Sequence, residues 1–592
     1  MAVGSAQAEA YTALAAELKE IDSLSGIDNI LSWDELVIMK ERSAASRAAQ
    51  KAALASVIHQ RQTSEKLGEL IKSAEQESGL GPMEQASVRD ARLSFDRKTK
   101  VIPPFRFVSP LSKLFSLTCF FPLLFSSLSL SLSLSKLPSE LAKLQATLSS
   151  EGYQSWAKAR ASDDYETFKP VLAKIIQLRV DEAKAVAPEM LAYDYQIDKF
   201  ERGMKASRLR EIFDEVKAGL VPLIKEITSA KKLSVDSRLA GGDAAPTFEV
   251  SKQEALCSQV MEKLGFEGRL DKSLHPFTGG TASDVRITTR YDPKDFISGV
   301  AGLIHETGHA LYEQNRPAGD NLGMPVSEAL SMGIHESQSL LFERMIGQSE
   351  EFWTYFQPMV ADTFEFTKDL SKEDFYAAIN KVEKNLIRVD ADELTYPLHI
   401  IIRFELEQGL FDGSITVDNL PAKWNELYAS YLGIDVPSDK EGCLQDVHWG
   451  SLAFGYFPSY TLGAMYACQF FQHAEKSIPG LRAEIAEGNF TNLRQWLNDN
   501  IHSKVRPSTS SPCIIAFPFS PPLLTSFPLS FIRARCILAQ MSCARPSRER
   551  SWTRASSWTI SGRSIGSFTS SNNPYISFLS YDLSVTLFFF KI

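Results

Sequence analysis

The sequence predicts a mainly α fold with one small β-hairpin, and three observations carry that prediction. Apolar residues recur three and four apart in run after run, with Gly or Pro between many of the runs. One stretch, Ser283 to Tyr291, instead alternates β-branched and polar residues with the two-residue period of a strand. The chain has 592 residues, 44% hydrophobic and 23% charged, an ordinary globular composition that can bury a large core in one domain or two.

In chain order, helical periodicity covers Ala8 to Ile21, Ala44 to Gln60, Glu65 to Ala74, Ser139 to Ala161, Phe168 to Val186, Lys205 to Ala230 and Lys252 to Leu264. The strand follows, placed to bind an extended peptide by edge pairing. Val300 to Tyr312 comes next as a largely buried helix, and Ser327 after Pro325 opens another, with Ser327 as its cap. Val382 to Leu394 reads as a further helical run.

Two segments break the pattern. Val101 to Lys136 runs through Pro103-Pro104 and Phe120-Phe121-Pro122 into a Ser-Leu alternation, and Val505 to Ile592 is Pro-, Ser- and Phe-rich, then Arg-, Ser- and Trp-rich, without periodicity. Each begins with Lys-Val, which the codons of a splice donor after a lysine can encode. The first is therefore expected to be a foreign insert such as a retained intron, and the second an intron followed by a shifted frame. The catalytic domain is then expected over 1–504, interrupted at 101–136, with 505–592 an aberrant tail. Leu114 to Leu134 carries no charge, but Pro122 and its many serines argue against a membrane span.

The formal charge is −9, and both odd segments are basic, so the rest of the chain is more acidic than the whole. That balance argues against nucleic acid as a partner. Four of the seven cysteines lie in the odd segments, leaving Cys257, Cys443 and Cys468 without paired spacing. A reducing, cytoplasmic setting follows, with no thiol–metal site. Ala6 to Ile21 carries acids rather than a basic start and apolar core, so no secretory signal is expected.

The chemistry concentrates at His305-Glu306-Thr307-Gly308-His309. On a helix, residues four apart share a face, so His305 and His309 can grip one ion while Glu306 reaches a water beside it. A zinc ion lowers the pKa of water from roughly 16 to about 7, and Glu306 would take its proton as it attacks a carbonyl. The bland alternative is an exposed helix with two unrelated histidines, which the apolar flanks Ala301, Leu303, Ile304, Ala310 and Leu311 oppose. A third ligand is required, and His335 and Glu336 are adjacent candidates. Neighbours on a helix point about 100° apart, so one of them faces the ion. Two His with one Glu is a familiar hydrolytic set, which favours Glu336.

Six motifs in one order resemble the thermostable, Taq-type metallocarboxypeptidase family. They are His275-Pro276-Phe277, Asp284-Val285-Arg286-Ile287-Thr288, His305 to His309, His335-Glu336-Ser337-Gln338, Ile387-Arg388-Val389-Asp390-Ala391-Asp392, and Gly442-Cys443-Leu444-Gln445-Asp446-Val447-His448-Trp449. The resemblance spans Ala6 to Lys100 and Leu137 to Lys504. It implies a large helical zincin-type domain with a deep active-site cleft, zinc or cobalt as cofactor, peptides with a free C-terminus as substrates, and a homodimer. It also implies Glu336 as the third ligand and Arg388 as receptor for the substrate's terminal carboxylate. The family's chain continues past Lys504 into closing helices that Val505 to Ile592 replaces.

The residues bear independent readings. Arg can recognise a carboxylate with a bidentate fork, whereas the alternative for Arg388 is a surface pair with Asp392 at i+4. Arg286 is the second candidate receptor, its alternative an edge-strand charge that discourages aggregation. His448, Tyr456 and Tyr460 are candidate donors to an oxyanion, Tyr460 on the substrate-binding side; aromatic packing is the alternative for the tyrosines. His275 either lines the pocket or ends a helix. His59, His399, His473 and His502 read as structural. The rival functions are a zinc oligopeptidase that cuts internally, a catalytically inactive product, and a membrane-anchored version.

Overall fold

A computed structural model describes residues 9–99, 137–230, 235–243, 245–273, 276–317 and 319–504. The expectations for 101–136, 505–592 and His275 lie outside the described residues. Helices dominate: α1 Glu9–Val37, α2 Ala44–Gln62, α3 Glu65–Glu75, α4 Pro82–Thr99, α5 Leu137–Ser162, α6 Tyr165–Val186, α7 Ala192–Asp198, α8 Ala206–Ser229 and α9 Val250–Leu264. Next come α10 Phe296–Asn315, α11 Met332–Leu340, α12 Glu350–Thr363, α13 Lys372–Ile379, α14 Tyr396–Asp412, α15 Leu420–Tyr431, α16 Pro458–Ser477, α17 Leu481–Ala486 and α18 Thr491–Leu497. Among the described residues, no helix is long and apolar enough to cross a membrane.

Among the described residues, three short strands form one sheet in the order β1 Arg269–Lys272, β3 Asp284–Thr289, β2 Thr278–Thr281. The expected hairpin is the antiparallel pair β2–β3, in which Gly279 faces Arg286. β1 adds a parallel strand that the sequence did not announce, because Arg-Leu-Asp-Lys has no β-branched residue.

Three boundaries differ from expectation. α1 runs on past Ile21 and through Gly26, with the Ser23 and Ser25 hydroxyls bonded back to carbonyls four residues earlier, at 2.8 and 3.0 Å. The helix after Pro325 begins not at Ser327 but at Met332, capped by Ser331, whose hydroxyl accepts from Ile334 N at 3.1 Å; such a cap stabilises a helix by about 1 kcal/mol. Val382 to Leu394 is not helical and holds only the 3-10 turn Arg388–Asp390. Asn385 Oδ1 accepts from Ile387 N at 3.0 Å, and Asp392 Oδ1 from Leu394 N at 2.9 Å. Such local side-chain bonds offer the backbone an alternative to the helix.

Two large apolar cores meet along α16. Leu462 and Met465 enter the core built on α6, α8 and α14, while Ala464, Ala467, Phe470 and Phe471 enter the core built on α10, α11 and α12. Hydrophobic burial thus fixes α10, α11 and α16 against one another, and those three helices carry most of the site.

Candidate active site

α10 starts at Asp295, whose carboxylate accepts from Ser298 N at 3.1 Å, and it is buried on most sides. Its face toward α11 presents His305 and His309, with ring centroids 4.9 Å apart. Glycine permits the close approach: a Cβ on Gly308 would lie 2.4 Å from the Gln338 carbonyl oxygen, and one on Gly463 of α16 would lie 2.7 Å from Glu336 Cβ. Three helices therefore converge on Glu336.

His305, His309 and Glu336 each offer one ligand atom, all within 4.8 Å of one another. His309 Nε2 stands 3.4 Å from Glu336 Oε2, and donors about 2.0–2.2 Å from a tetrahedral ion lie roughly 3.4 Å apart. Both imidazoles are held from behind. His305 Nδ1 lies 2.7 Å from Glu343 Oε2, while His309 Nδ1 lies 3.1 Å from the His335 carbonyl and 2.7 Å from His335 Nδ1. His335 Nε2 in turn lies 2.9 Å from Glu313 Oε1. A proton on His335 Nε2 and one on His309 Nδ1 satisfy this chain and leave His309 Nε2 free to bind an ion. Burial is the main force that keeps His335 below the usual imidazole pKa. The residues present therefore fit a divalent metal, with Glu336 and not His335 among the donors.

Glu343 lies on a π-helical turn, Leu341–Gly347, that continues α11. Single π turns recur at functional sites because the extra residue re-aims side chains. Glu306 is buried, and its Oε2 accepts from Thr278 Oγ1 of β2 at 2.7 Å. The sheet thus aims the carboxylate beside the metal group.

Arg388 is buried in a polar cluster rather than exposed on a helix. Its Nε lies 2.8 Å from Asp446 Oδ1, its Nη1 donates to Tyr396 Oη at 2.9 Å, and its Nη2 has no protein partner among the described residues. The alternative, a surface pair with Asp392, is not found among the described residues, since Asp392 is engaged by Leu394 N and Thr395. Arg403, wholly buried, bonds Asp446 Oδ2 at 2.6 Å and Gln445 Oε1 at 2.8 Å. Two guanidiniums thus share one carboxylate and leave an uncompensated positive charge among these three groups, a favourable place for a further anion.

His448 Nε2 and Tyr460 Oη are 3.1 Å apart, and the Tyr456 and Tyr460 rings are 5.2 Å apart. Burial, then Arg388, holds His448 neutral by depressing its pKa to about 3. Burial raises the Tyr396, Tyr456 and Tyr460 phenols, and the nearby Glu336 charge adds to that rise in all three. They remain protonated donors beside the metal group. Tyr460 sits on α16 rather than in a turn, one helical turn before Gly463.

Arg286 is not brought to this group; its contacts are Asp284 at 2.5 Å and the Trp33 ring. His399 and His502 are buried and bonded to Tyr428 Oη and Gln338 Oε1, both at 2.9 Å, while His59 and His473 are half-buried. Sequence reasoning missed Glu343, His335 as orienter, Thr278 and Tyr396. His335 lay within a recognised motif and Thr278 directly after one, His275-Pro276-Phe277, whereas Glu343 and Tyr396 lay outside all six.

A helical scaffold with two histidines of one H-E-x-x-H helix and a glutamate of a second defines the chain as a metallohydrolase. The family profile described as carboxypeptidase Taq (M32) metallopeptidase matches residues 13–518. The chain is 35% identical over 517 residues to thermostable carboxypeptidase 1 of Thermus thermophilus, covering 84% of this chain and 93% of that protein. It is 40% identical over 373 residues to carboxypeptidase 1 of Bacillus subtilis, covering 62% of this chain and 73% of that one. The crystal structure of the M32 carboxypeptidase from Deinococcus radiodurans superposes with a TM-score of 0.77 at 31% identity, covering 90% of this chain and 99% of that one. The chain belongs to the M32 family of metallocarboxypeptidases.

Proposed function

We propose that this chain releases single C-terminal amino acids from peptides, with zinc, or cobalt in its place, held by His305, His309 and Glu336. The observation that carries the exopeptidase reading is the buried Arg388–Asp446–Arg403 cluster, whose unbalanced charge is supplied with an anion when a substrate's terminal carboxylate enters. The metal, when bound, supplies Lewis acidity that lowers the pKa of water to about 7 and polarises the scissile carbonyl. Glu306, held by Thr278, takes the proton of the attacking water and returns it to the leaving amine. Arg388 orients the terminal carboxylate through its open Nη2. Arg286, already paired, is the secondary candidate for that role. His448 and the Tyr456 hydroxyl stabilise charge on the carbonyl oxygen, and Tyr460, bonded to His448, lines the substrate side.

Peptide acids and the corresponding C-terminal amides test the reading. A carboxypeptidase processes the acids and leaves the amides; cleavage of both would favour the internal-cutting oligopeptidase.

The catalytic domain is assigned to 1–504, with 101–136 foreign to it and 505–592 outside it. A chain lacking Val101 to Lys136 should keep chelator-sensitive activity, and tryptic peptides from within that segment in native protein would contradict the assignment. A homodimer and a cytoplasmic location complete the proposal. Among the described residues Cys257, Cys443 and Cys468 are buried and form no disulfide, which supports a reducing compartment; light scattering and cell fractionation test the two points.

A further inference from the structure

One buried carboxylate grips both arms of the loop that carries His448 and Tyr456. Glu407 of α14 is fully buried and takes part in no ion pair among the described residues. Its Oε1 accepts from the Trp449 indole N–H at 2.9 Å, and its Oε2 accepts from Gly455 N and Tyr193 Oη, both at 2.9 Å. Trp449 follows His448 directly, and Gly455 directly precedes Tyr456. Each bond therefore acts one residue from a side chain of the site.

The loop between these anchors closes on itself through Ala453 N to the His448 carbonyl at 2.8 Å and Leu452 N to the Trp449 carbonyl at 3.1 Å, but its backbone is strained. Leu452 is buried with φ of +62°, in the left-handed region that a branched side chain disfavours. Gly455 has φ of +80°, and a Cβ there would lie 2.5 Å from the Gln196 carbonyl carbon. Such backbone persists only where the surroundings over-determine it. Arg179 Nε adds a bond to the Leu452 carbonyl at 3.1 Å, and Glu407 is the side chain that bonds both Trp449 and Gly455.

We infer that Glu407 is a positioning residue for hydrolysis: by fixing Trp449 and Gly455 with one carboxylate, it sets the places of His448 and Tyr456. The inference rests on the roles given to those two side chains above. All three partners present hydrogens, so the site suits an acceptor on both oxygens. Burial pushes the carboxyl up to about 7, opposed by the Gly455, Trp449 and Tyr193 bonds and by Arg403. In Glu407→Gln one acceptor oxygen becomes an NH2 that meets a donor, so one arm is released.

The test compares the parent with Glu407→Gln, Trp449→Phe, His448→Ala and Tyr456→Phe, and adds Glu407→Gln to the His448→Ala/Tyr456→Phe background. An N-acylated dipeptide with a free C-terminus is the substrate, and bound metal is measured on each protein. Glu407→Gln should lower kcat by about 10²-fold, the scale of an ångström-sized misplacement, with metal content unchanged. In the double-variant background the same change should cost less than about threefold, because its effect runs through those residues. Without metal, the Trp449 indole hydrogen, assigned with Trp449→Phe, should exchange with solvent faster in Glu407→Gln. If Glu407→Gln does not fold, Trp449→Phe carries the test: it frees one arm, keeps an aromatic ring, and should still lower kcat with KM changed less than kcat. Equal losses in both backgrounds, or no loss on Glu407→Gln where His448→Ala and Tyr456→Phe lose activity, overturn the inference alone. Unchanged kcat in His448→Ala and Tyr456→Phe overturns the reading of the site, and the inference with it.

Discussion

Glu343 Oε2 stands 2.7 Å from His305 Nδ1, so the carboxylate holds the imidazole from the side opposite its metal-binding nitrogen. Outer partners of this kind orient a ligand and raise its basicity, and their loss typically costs 10- to 100-fold in metal affinity. Glu343→Gln is expected to weaken metal binding by about that factor. Competition against a chelator of known affinity measures it, and an unchanged dissociation constant would remove Glu343 from the site.

The Thr278 hydroxyl bonds Glu306 twice, its Oε2 at 2.7 Å and its carbonyl oxygen at 3.2 Å. Thr278→Val keeps the shape and removes the donor. It should lower kcat by roughly tenfold, as a misaimed general base does, and leave metal affinity as it was. Steady-state kinetics beside metal titration separates the two.

Arg388 and Arg286 make contrasting predictions. Loss of a charge-assisted bond costs about 1.5–3 kcal/mol, so Arg388→Ala should lower kcat/KM for peptide acids by about 10- to 150-fold. The preference for acids over amides should shrink with it. Arg286→Ala, which frees a side chain already paired with Asp284, should change that preference little. The reverse ranking would move the receptor to the strand.

Asp446 gives stability a pH signature. Burial alone would raise its carboxyl, but Arg388 and Arg403 outweigh burial and hold it well below the usual range. A folded pKa below the unfolded value of about 3.9 contributes stability that is present above that value and lost as pH falls toward the folded pKa. Asp446→Asn leaves two buried guanidiniums without their carboxylate, a change worth about 3–5 kcal/mol. It should melt below the parent near neutrality, with a gap that narrows under about pH 4. Paired melts across pH measure this, and a constant gap would mean that the ion pairs do not stabilise the cluster.

Much of this was legible in the chain, and the failures have physical causes. Periodicity located Phe168 to Val186 against an observed Tyr165–Val186, and Lys252 to Leu264 against Val250–Leu264, because a buried apolar stripe repeats with the helix. It misread Val382 to Leu394, where Asn385 and Asp392 satisfy the backbone locally. His305, His309 and Glu336 were readable because their chemistry demands fixed spacing on two helices. Glu343 was not, since a π turn alters which residues share a face. Glu407 was beyond reach because its partners Tyr193, Trp449 and Gly455 come from distant parts of the chain, and only folding makes them neighbours.

Metal-replete Glu306→Gln tests the central claim most directly. Glutamine keeps the size and the bond with Thr278 but cannot take a proton from water. Release of the C-terminal residue should fall by about 10²- to 10⁴-fold, the share a general base supplies, while metal binds in the same proportion as in the parent. Turnover at the parent's rate by the metal-loaded variant would contradict it.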